Sequence, residues 1–232
     1  KSVRLIEETE KELEKQFERI DKIAEYNQLK VLNAFRKNRV SYAHFGETTG
    51  YGYDDLGRDT LDKVYADAFG AGDALVRHSI VSGTQAIASC LYGVLRPGDT
   101  MLSVAGGPYD TLEEVVGIRG EGDSGSLKDF GVSYIQVDLK DDGTVDFDGI
   151  RNAVSSQKIK LALIQRSCGY AWRDSLSVDK IEEIIKCIKD TDSDVICLVD
   201  NCYGEFVETR EPVQAGADIM VGSLIKNPGG GL

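Results

Sequence analysis

The feature that most constrains the fold of this chain is a regular alternation of short apolar segments with amphipathic segments. Segments whose apolar residues recur three and four positions apart, such as 84–95 and 178–190, predict helices. Near-continuous apolar strands alternating with such helices are typical of a mainly parallel sheet that is covered on both faces. We therefore predict an α/β fold, a three-layer α/β/α sandwich around a mainly parallel mixed sheet. The predicted strands are 74–81, 100–105, 132–138, 161–167, 195–201 and 219–226.

The N-terminal part of the chain has a different pattern, because one long apolar stripe runs along residues 3–35. Its spacings of seven, four, three and four residues indicate one long helix or a pair of helices. The stripe could pack on the chain's own core or on a second subunit, and the sequence leaves both open. We assign residues 1–45 to an N-terminal helical segment and 46–232 to one large domain. The stripe consists of Ile6, Leu13, Phe17, Ile20 and Ala24.

Charge and composition exclude several classes of function. The formal net charge of -12 over 232 residues leaves no basic stripe for a nucleic acid. No apolar run approaches the roughly 20 residues that cross a bilayer, and the charged N-terminus does not resemble a signal peptide. The five cysteines, an odd number without a CxxC pair, indicate reduced thiols and a cytoplasmic protein. With only two histidines, a histidine zinc site or a Ser-His-Asp triad is disfavoured, and we predict no metal site.

The first candidate for chemistry is the turn Ser82-Gly83-Thr84, which enters the predicted helix 84–95. Free backbone N–H groups and the positive end of a helix dipole make such a turn suitable for binding a phosphate group. The lack of a side chain at Gly83 lets a ligand approach the backbone closely. The alternative is an ordinary connection between a strand and a helix, which has the same composition.

The other two candidates are an acid and an amine that follow apolar segments. Asp200 comes at the end of a strongly apolar run, where a carboxylate must face a cleft or a cation to avoid a large desolvation cost. It could also bind a metal or a nucleotide, or cap the next helix. Lys226 follows 26 residues later, at the end of the segment 219–226, with Ser223 three residues before it. The alternative for Lys226 is a surface lysine at a strand end.

Together these groups match the requirements of pyridoxal 5′-phosphate. The aldehyde of this cofactor needs a lysine for an imine, its ring nitrogen needs a carboxylate, and its phosphate needs an anion site. Tyr109, which follows another predicted strand, would offer a flat partner for the ring, and Ser223 could donate to the phosphate. The combination predicts a pyridoxal-phosphate site at the carboxyl ends of the strands, where ligands of open α/β sheets bind.

Longer motifs carry a resemblance to a known family. The segments "GYGYDDLGRDTLDKVYADAFG", "SGTQAIASCLYGVLRPGD", "QRSCGYAWR", "VDNCYGEFVE" and "GSLIKNPGGG" resemble fold-type-I pyridoxal-phosphate enzymes. Within these enzymes the chain is similar to the cystathionine/methionine lyase branch, and there to the methionine gamma-lyase-related or aluminium-resistance proteins. This resemblance implies that Lys226 carries the imine, Asp200 pairs with the ring nitrogen, and Tyr109 stacks on the ring.

The resemblance also implies the remaining contacts of the cofactor. Gly83 and Thr84 would hold its phosphate, and Ser167 together with Gln165 would contact its ring hydroxyl. In the wider branch a tyrosine and an arginine of a neighbouring subunit also reach the phosphate. The matching loop of this chain contains Tyr51, Tyr53 and Arg58, although the spacing between the two residue types differs. A homodimer or homotetramer with shared active sites is therefore expected.

The activity implied by the resemblance is carbon–sulfur bond elimination from a sulfur amino acid, as in a methionine gamma-lyase or a cystathionine beta-lyase. Lys226 would act as the general base with a lowered pKa, and Tyr109 would assist proton transfer. Such enzymes continue into a smaller C-terminal domain that supplies an arginine for the substrate carboxylate, and we expect that arginine beyond the end of this sequence, six residues after Lys226.

Three alternatives remain at this stage. The first is another pyridoxal-phosphate reaction, namely transamination, decarboxylation or racemisation. The second is a nucleotide- or metal-binding α/β module in which Asp200 holds a cation. The third is a binding protein that keeps the cofactor fold but has lost turnover.

Overall fold

The computed structural model describes residues 2–49, 51 and 53–227. Its backbone contacts divide the chain into two compact units. The first unit comprises the residues up to Val76 together with Phe206–Thr209, and the second comprises the remainder. The predicted border between residues 45 and 46 falls inside the first unit.

The first unit is helical. A single helix, α1 (Ser2–Lys37), covers the whole N-terminal stripe, and it is followed by a 3-10 turn (Tyr42–Phe45) and helix α2 (Leu56–Phe69). Toward the end of α1 the amide of Asn27 donates to the carbonyls of Phe206 and Glu208, at 2.9 and 3.0 Å. The predicted apolar stripe nearer the N-terminus lies on exposed positions instead, from Ile6 to Ala24.

The second unit contains the predicted parallel sheet. Within the described residues, five strands pair in the order β2-β1-β3-β4-β5, and the four pairings are parallel. The mainly parallel α/β architecture is thereby confirmed. The strands are β1 (Thr100–Val104), β2 (Ser133–Val137), β3 (Leu161–Gln165), β4 (Ile196–Asp200) and β5 (Ile219–Val221).

Helices cover both faces of this sheet, because alternate strand residues point to opposite sides. On one face Leu163 and Leu198 pack with residues of helices α3 (Gly83–Val94) and α4 (Asp110–Val116). On the other face lie α5 (Phe147–Ser156) and α6 (Val178–Thr191). The apolar face of α6 is completely buried at Ile181, Ile184 and Ile188. The three predicted layers are therefore present in this unit.

Two predicted strands differ from the structure. Segment 74–81 forms no strand, and no strand within the described residues pairs with it. The amide of Val76 donates instead to the Asp62 carboxylate at 2.8 Å, and the side chains of Leu75 and Val81 are exposed. An apolar composition is not sufficient for a strand, because each backbone N–H also needs a ladder partner.

The last predicted strand is shorter than expected. β5 ends at Val221, and residues 224–227 form turns. The carbonyl of Ser223 accepts hydrogen bonds from the amides of Lys226 and Asn227, at 2.9 and 3.2 Å. Lys226 therefore lies in a turn five residues beyond the sheet and not at a strand end.

The register of the strands determines where their polar ends meet. Gln165 at the end of β3 lies beside Asp200 at the end of β4, and Asp200 lies beside Val221 at the end of β5. Segments that follow three adjacent strands therefore leave the sheet at one edge. No helix among the described residues is long and apolar enough to cross a membrane.

Candidate active site

Asp200 occupies the predicted position at the carboxyl end of β4, where its side chain is buried and 3% exposed. Burial raises the pKa of this carboxyl, and the backbone amide of Cys202, 3.0 Å from Oδ1, opposes that rise. The positive charge of Lys226 also lowers the pKa of Asp200, so the amine lies within electrostatic reach of the acid. The two predicted partners thus lie within the range of charge–charge interaction, and their roles toward a cofactor stay predictions.

The predicted phosphate turn meets the same site. Ser82 caps α3 by accepting from the amide of Gln85 at 3.1 Å, which leaves Gly83 at the first position of the helix. A β-carbon added at Gly83 would lie 3.0 Å from Cys202 Sγ and 3.9 Å from the Ser223 β-carbon. The start of α3, the turn after β4 and the turn after β5 therefore converge on one point.

A fourth segment, at Tyr109, contacts the start of α3. Tyr109 is the residue before α4, and its hydroxyl donates to Thr84 Oγ1 at 3.0 Å. Its backbone amide donates to Gln165 Oε1 at 2.9 Å. Burial raises the pKa of the Tyr109 phenol, and the nearby charge of Asp200 raises it further. The phenol therefore stays neutral at physiological pH and lies close to both the phosphate turn and the acid.

Lys226 differs from expectation in its surroundings. The side chain is exposed, and Nζ donates to the Tyr203 hydroxyl at 3.0 Å and lies 4.9 Å from the centre of that ring. The hydrogen bond to Tyr203 raises the pKa of the amine, whereas a lowered pKa was predicted. The apolar setting that would lower the pKa is missing around this exposed side chain. The glycine-rich segment 229–231 that follows it lies outside the described residues.

The two predicted serines make backbone contacts in the structure. The carbonyl of Ser167 accepts from Gln165 Nε2 and from the guanidinium of Arg173. The amide of Ser223 donates to the Glu205 carboxylate. The roles of their hydroxyl groups toward a cofactor stay predictions.

The predicted tyrosine and arginine from a neighbouring copy lie in the first unit. Tyr51 and Tyr53 are exposed, and the Arg58 guanidinium pairs with Asp59 at 3.0 Å. Their role at a phosphate stays a prediction.

Three residues of the site were not identified from the sequence, and all follow Asp200 within five positions. Cys202 contacts Asp200, Tyr203 contacts Lys226, and Glu205 contacts Ser223. Tyr203 adopts a left-handed backbone conformation with φ of 72°, which is uncommon outside glycine and often marks a functional turn. The sequence signal was the unusual polar segment "DNCYGE" directly after a buried strand.

Comparison with known proteins gives a consistent result. A family model described as methionine gamma-lyase matches residues 2–232. YnbB of Bacillus subtilis, an uncharacterized protein, is 55% identical over 92% of this chain and 50% of its own length. The crystal structure of a carbon-sulfur lyase involved in aluminum resistance from Clostridium novyi NT is 50% identical, with a TM-score of 0.92. That match covers 96% of this chain and 53% of the other.

A more distant structure shares the fold. The pyridoxal-5′-phosphate dependent protein YhfS of Escherichia coli is 22% identical, with a TM-score of 0.63. The match covers 85% of this chain and 50% of YhfS. This chain thus spans about half the length of the relatives that it matches.

Proposed function

Because this chain belongs to the methionine gamma-lyase family, we propose that it forms the cofactor-binding part of a pyridoxal-phosphate-dependent carbon–sulfur lyase. The proposed substrate is a sulfur amino acid, and the proposed bond broken is a carbon–sulfur bond at the β or γ carbon. The observation that carries this proposal is the convergence of Gly83, Cys202 and Ser223 beside Tyr109 and Asp200.

The residues fit the chemistry of pyridoxal phosphate. Gly83 offers an open helix terminus for an anion, and the phenol of Tyr109 is held next to it through Thr84. Asp200 is a buried acid whose unfavourable burial would be relieved by a protonated ring nitrogen. Lys226 supplies the primary amine near that acid. When bound, the cofactor supplies an electron-withdrawing ring that stabilises negative charge at the α-carbon of an amino acid.

The chain's own residues then have distinct tasks. Asp200 would keep a proton on the ring nitrogen, Tyr109 would offer a flat surface, and the amides at the start of α3 would hold the phosphate. Lys226 Nζ takes the proton from the substrate α-carbon, for which the amine must first lose its own proton. Tyr203, which accepts a hydrogen bond from Nζ, orients the amine. The proton that Nζ loses passes to the solvent, to which this side chain is exposed.

The first test is direct detection of the covalent cofactor. The purified protein with added pyridoxal phosphate is expected to absorb visible light, and borohydride reduction should fix the cofactor on the peptide containing Lys226. Lys226→Ala should abolish both signals, while Lys186→Ala, at an exposed lysine of α6, should leave them unchanged. A normal visible spectrum in Lys226→Ala would contradict the proposal.

The reaction type needs a separate measurement on the protein with all its domains. Release of a thiol and ammonia together with an α-keto acid is expected from a sulfur amino acid. Conversion without thiol release, with an amino group passed to an acceptor keto acid, would show transamination instead.

We also propose that the active sites are shared in a homodimer or homotetramer. The exposure of Tyr53 supports this, because a large aromatic side chain on the surface is available to a second copy. Mixing Lys226→Ala subunits with Arg58→Ala subunits tests it. Partial recovery of activity in the mixture is expected for shared sites, and no recovery is expected for separate ones.

A further inference from the structure

Glu205 holds the segment that carries Lys226 without touching the lysine itself. Its side chain is fully buried, and Oε1 accepts a hydrogen bond from the backbone amide of Ser223. Its own backbone carbonyl accepts from the side-chain amide of Asn227. One residue therefore binds both ends of the segment 223–227, in which Lys226 is the fourth position.

The chain leaves room for this carboxyl group by placing a glycine next to it. A β-carbon added at Gly222 would lie 2.7 Å from Glu205 Oε1 and 3.2 Å from its Cγ. Contacts below 3.0 Å force one of the partners to move. A side chain at position 222 would therefore displace the Glu205 carboxyl group.

Burial and the charged neighbours of Glu205 favour its neutral form. Burial is the main cause, and the negative charges of Glu211 and Asp200 act in the same direction, so the pKa of Glu205 rises to about 7. Arg166 Nη1 donates hydrogen bonds to Asn201 Oδ1 and to the carbonyl of Gly204, at 2.7 Å each. The second carboxyl oxygen of Glu205 is buried and has no hydrogen-bond partner among the described residues.

Two other titratable groups lie at the same place. Cys202 is near enough for the charge of Glu205 to act on its thiol, and Lys226 acts on both Cys202 and Asp200. Neither supplies a hydrogen bond to the buried oxygen of Glu205. An ionised Glu205 would therefore be a buried negative charge close to two other acids, with no ion pair of its own among the described residues. Such an arrangement is unfavourable.

We propose that Glu205 is a positioning residue, whose buried carboxyl fixes the segment 223–227 and so sets the place of the Lys226 amine. The Ser223 amide binds a charged carboxyl more strongly, but burial and the charges of Glu211 and Asp200 outweigh that gain, so the attached state loses stability when Glu205 ionises. The structural part of this inference stands alone, whereas its meaning for catalysis rests on the proposed function.

Hydrogen exchange at the Ser223 amide tests the structural part. Glu205→Gln keeps an oxygen acceptor and is expected to leave the exchange rate within about threefold of the original. Glu205→Ala removes the acceptor and should accelerate exchange by about tenfold, as expected for the loss of one hydrogen bond. Glu114→Ala, at an exposed position of α4, is the control and should change nothing. Unchanged exchange in Glu205→Ala would overturn the inference.

A second variant covers the case in which Glu205→Ala does not fold. Gly222→Ala keeps the residue Glu205 but should displace its carboxyl group. It should therefore also accelerate exchange at Ser223. An unaltered rate in Gly222→Ala would count equally against the inference.

The pH dependence of hydrogen exchange at Ser223 distinguishes a positioning role of Glu205 from simple structural support. After correction for the intrinsic rate, exchange at Ser223 should increase as the pH rises through about 7 in the original protein. Glu205→Gln cannot ionise and should show no such increase. An identical increase in Glu205→Gln would exclude Glu205 as its source.

Borohydride trapping of pyridoxal phosphate at Lys226 tests whether the position of the segment 223–227 matters for the proposed function. Trapping should be several times slower in Glu205→Ala and restored in Glu205→Gln. If the original protein forms no adduct, the proposed function fails while the exchange results still decide the role of Glu205. If Glu205→Ala traps the cofactor at the original rate, the positioning role fails while the proposed function stands.

Discussion

At the residue scale, the surroundings of Lys226 determine its affinity for a proton. The Tyr203 hydroxyl accepts from Nζ at 3.0 Å, and this contact stabilises the charged amine, which raises its pKa. Desolvation lowers the pKa of this exposed lysine, but by less than Tyr203 raises it. The contact with Tyr203 therefore favours the protonated form of the amine.

The variant Tyr203→Phe tests this contact. It keeps the ring under the amine but removes the oxygen, so we expect the pKa of Lys226 to fall toward its ordinary value. The rate of reductive methylation at Lys226, followed by peptide mass analysis across alkaline pH, reports this pKa. The midpoint should move to lower pH in Tyr203→Phe. Tyr42→Phe, at an exposed tyrosine, is the control, and an equal shift there would refute a specific role for Tyr203.

Several site residues were predictable from the sequence because parallel strands end at one edge of a sheet. Gly83, Tyr109 and Asp200 each adjoin a predicted strand or helix end, and the structure brings them together. Tyr203 and Glu205 were not predictable, because their contacts depend on the path of the turn after β4. That path includes left-handed backbone at Tyr203 and Phe206, and neither residue type indicates such a conformation.

At the element scale, helices with a complete apolar face were predicted most reliably. The recurrence of isoleucine at 181, 184, 185 and 188 defines α6, and each of these side chains is buried against the sheet. Segment 74–81 has a similar apolar content but forms no strand, because strands depend on partners distant in sequence. Periodicity therefore indicates a helix locally, whereas a strand also requires a neighbour that the sequence does not reveal.

The variant Ile184→Ala tests the packing of α6. Ile184 is completely buried, so its truncation leaves a cavity and should lower the free energy of unfolding by about 2–5 kcal/mol. Lys186→Ala, at an exposed position on the same helix, should change it by less than about 0.5 kcal/mol. Urea unfolding followed by circular dichroism measures both. A similar small effect of the two substitutions would contradict the described packing.

At the scale of the whole molecule, two acids, the exposed Asp129 and the buried Glu205, make stability depend on pH in separate windows. Asp129 accepts hydrogen bonds from Ser126, which lower its pKa to about 2, so its contribution is present above the ordinary pKa and is lost in strong acid. Glu205 acts in the opposite direction, since its pKa is raised from 4.5 to about 7. The unfolded chain releases the proton of Glu205 at lower pH than the folded chain does. The contribution of Glu205 to the free energy of unfolding is therefore fully present below about pH 4.5 and is lost as the pH rises to about 7.

Glu205→Gln isolates this contribution. Between about pH 5 and about pH 8 the free energy of unfolding of the original protein should fall relative to that of Glu205→Gln, by up to ~3 kcal/mol. The hydrogen bond to Ser223 is retained in the variant, so the difference reports ionisation and not the loss of a contact. Urea unfolding at several pH values, with Glu114→Gln as the exposed control, gives the comparison. Parallel pH profiles for the original protein and Glu205→Gln would mean that the buried carboxyl is not protonated in the folded chain.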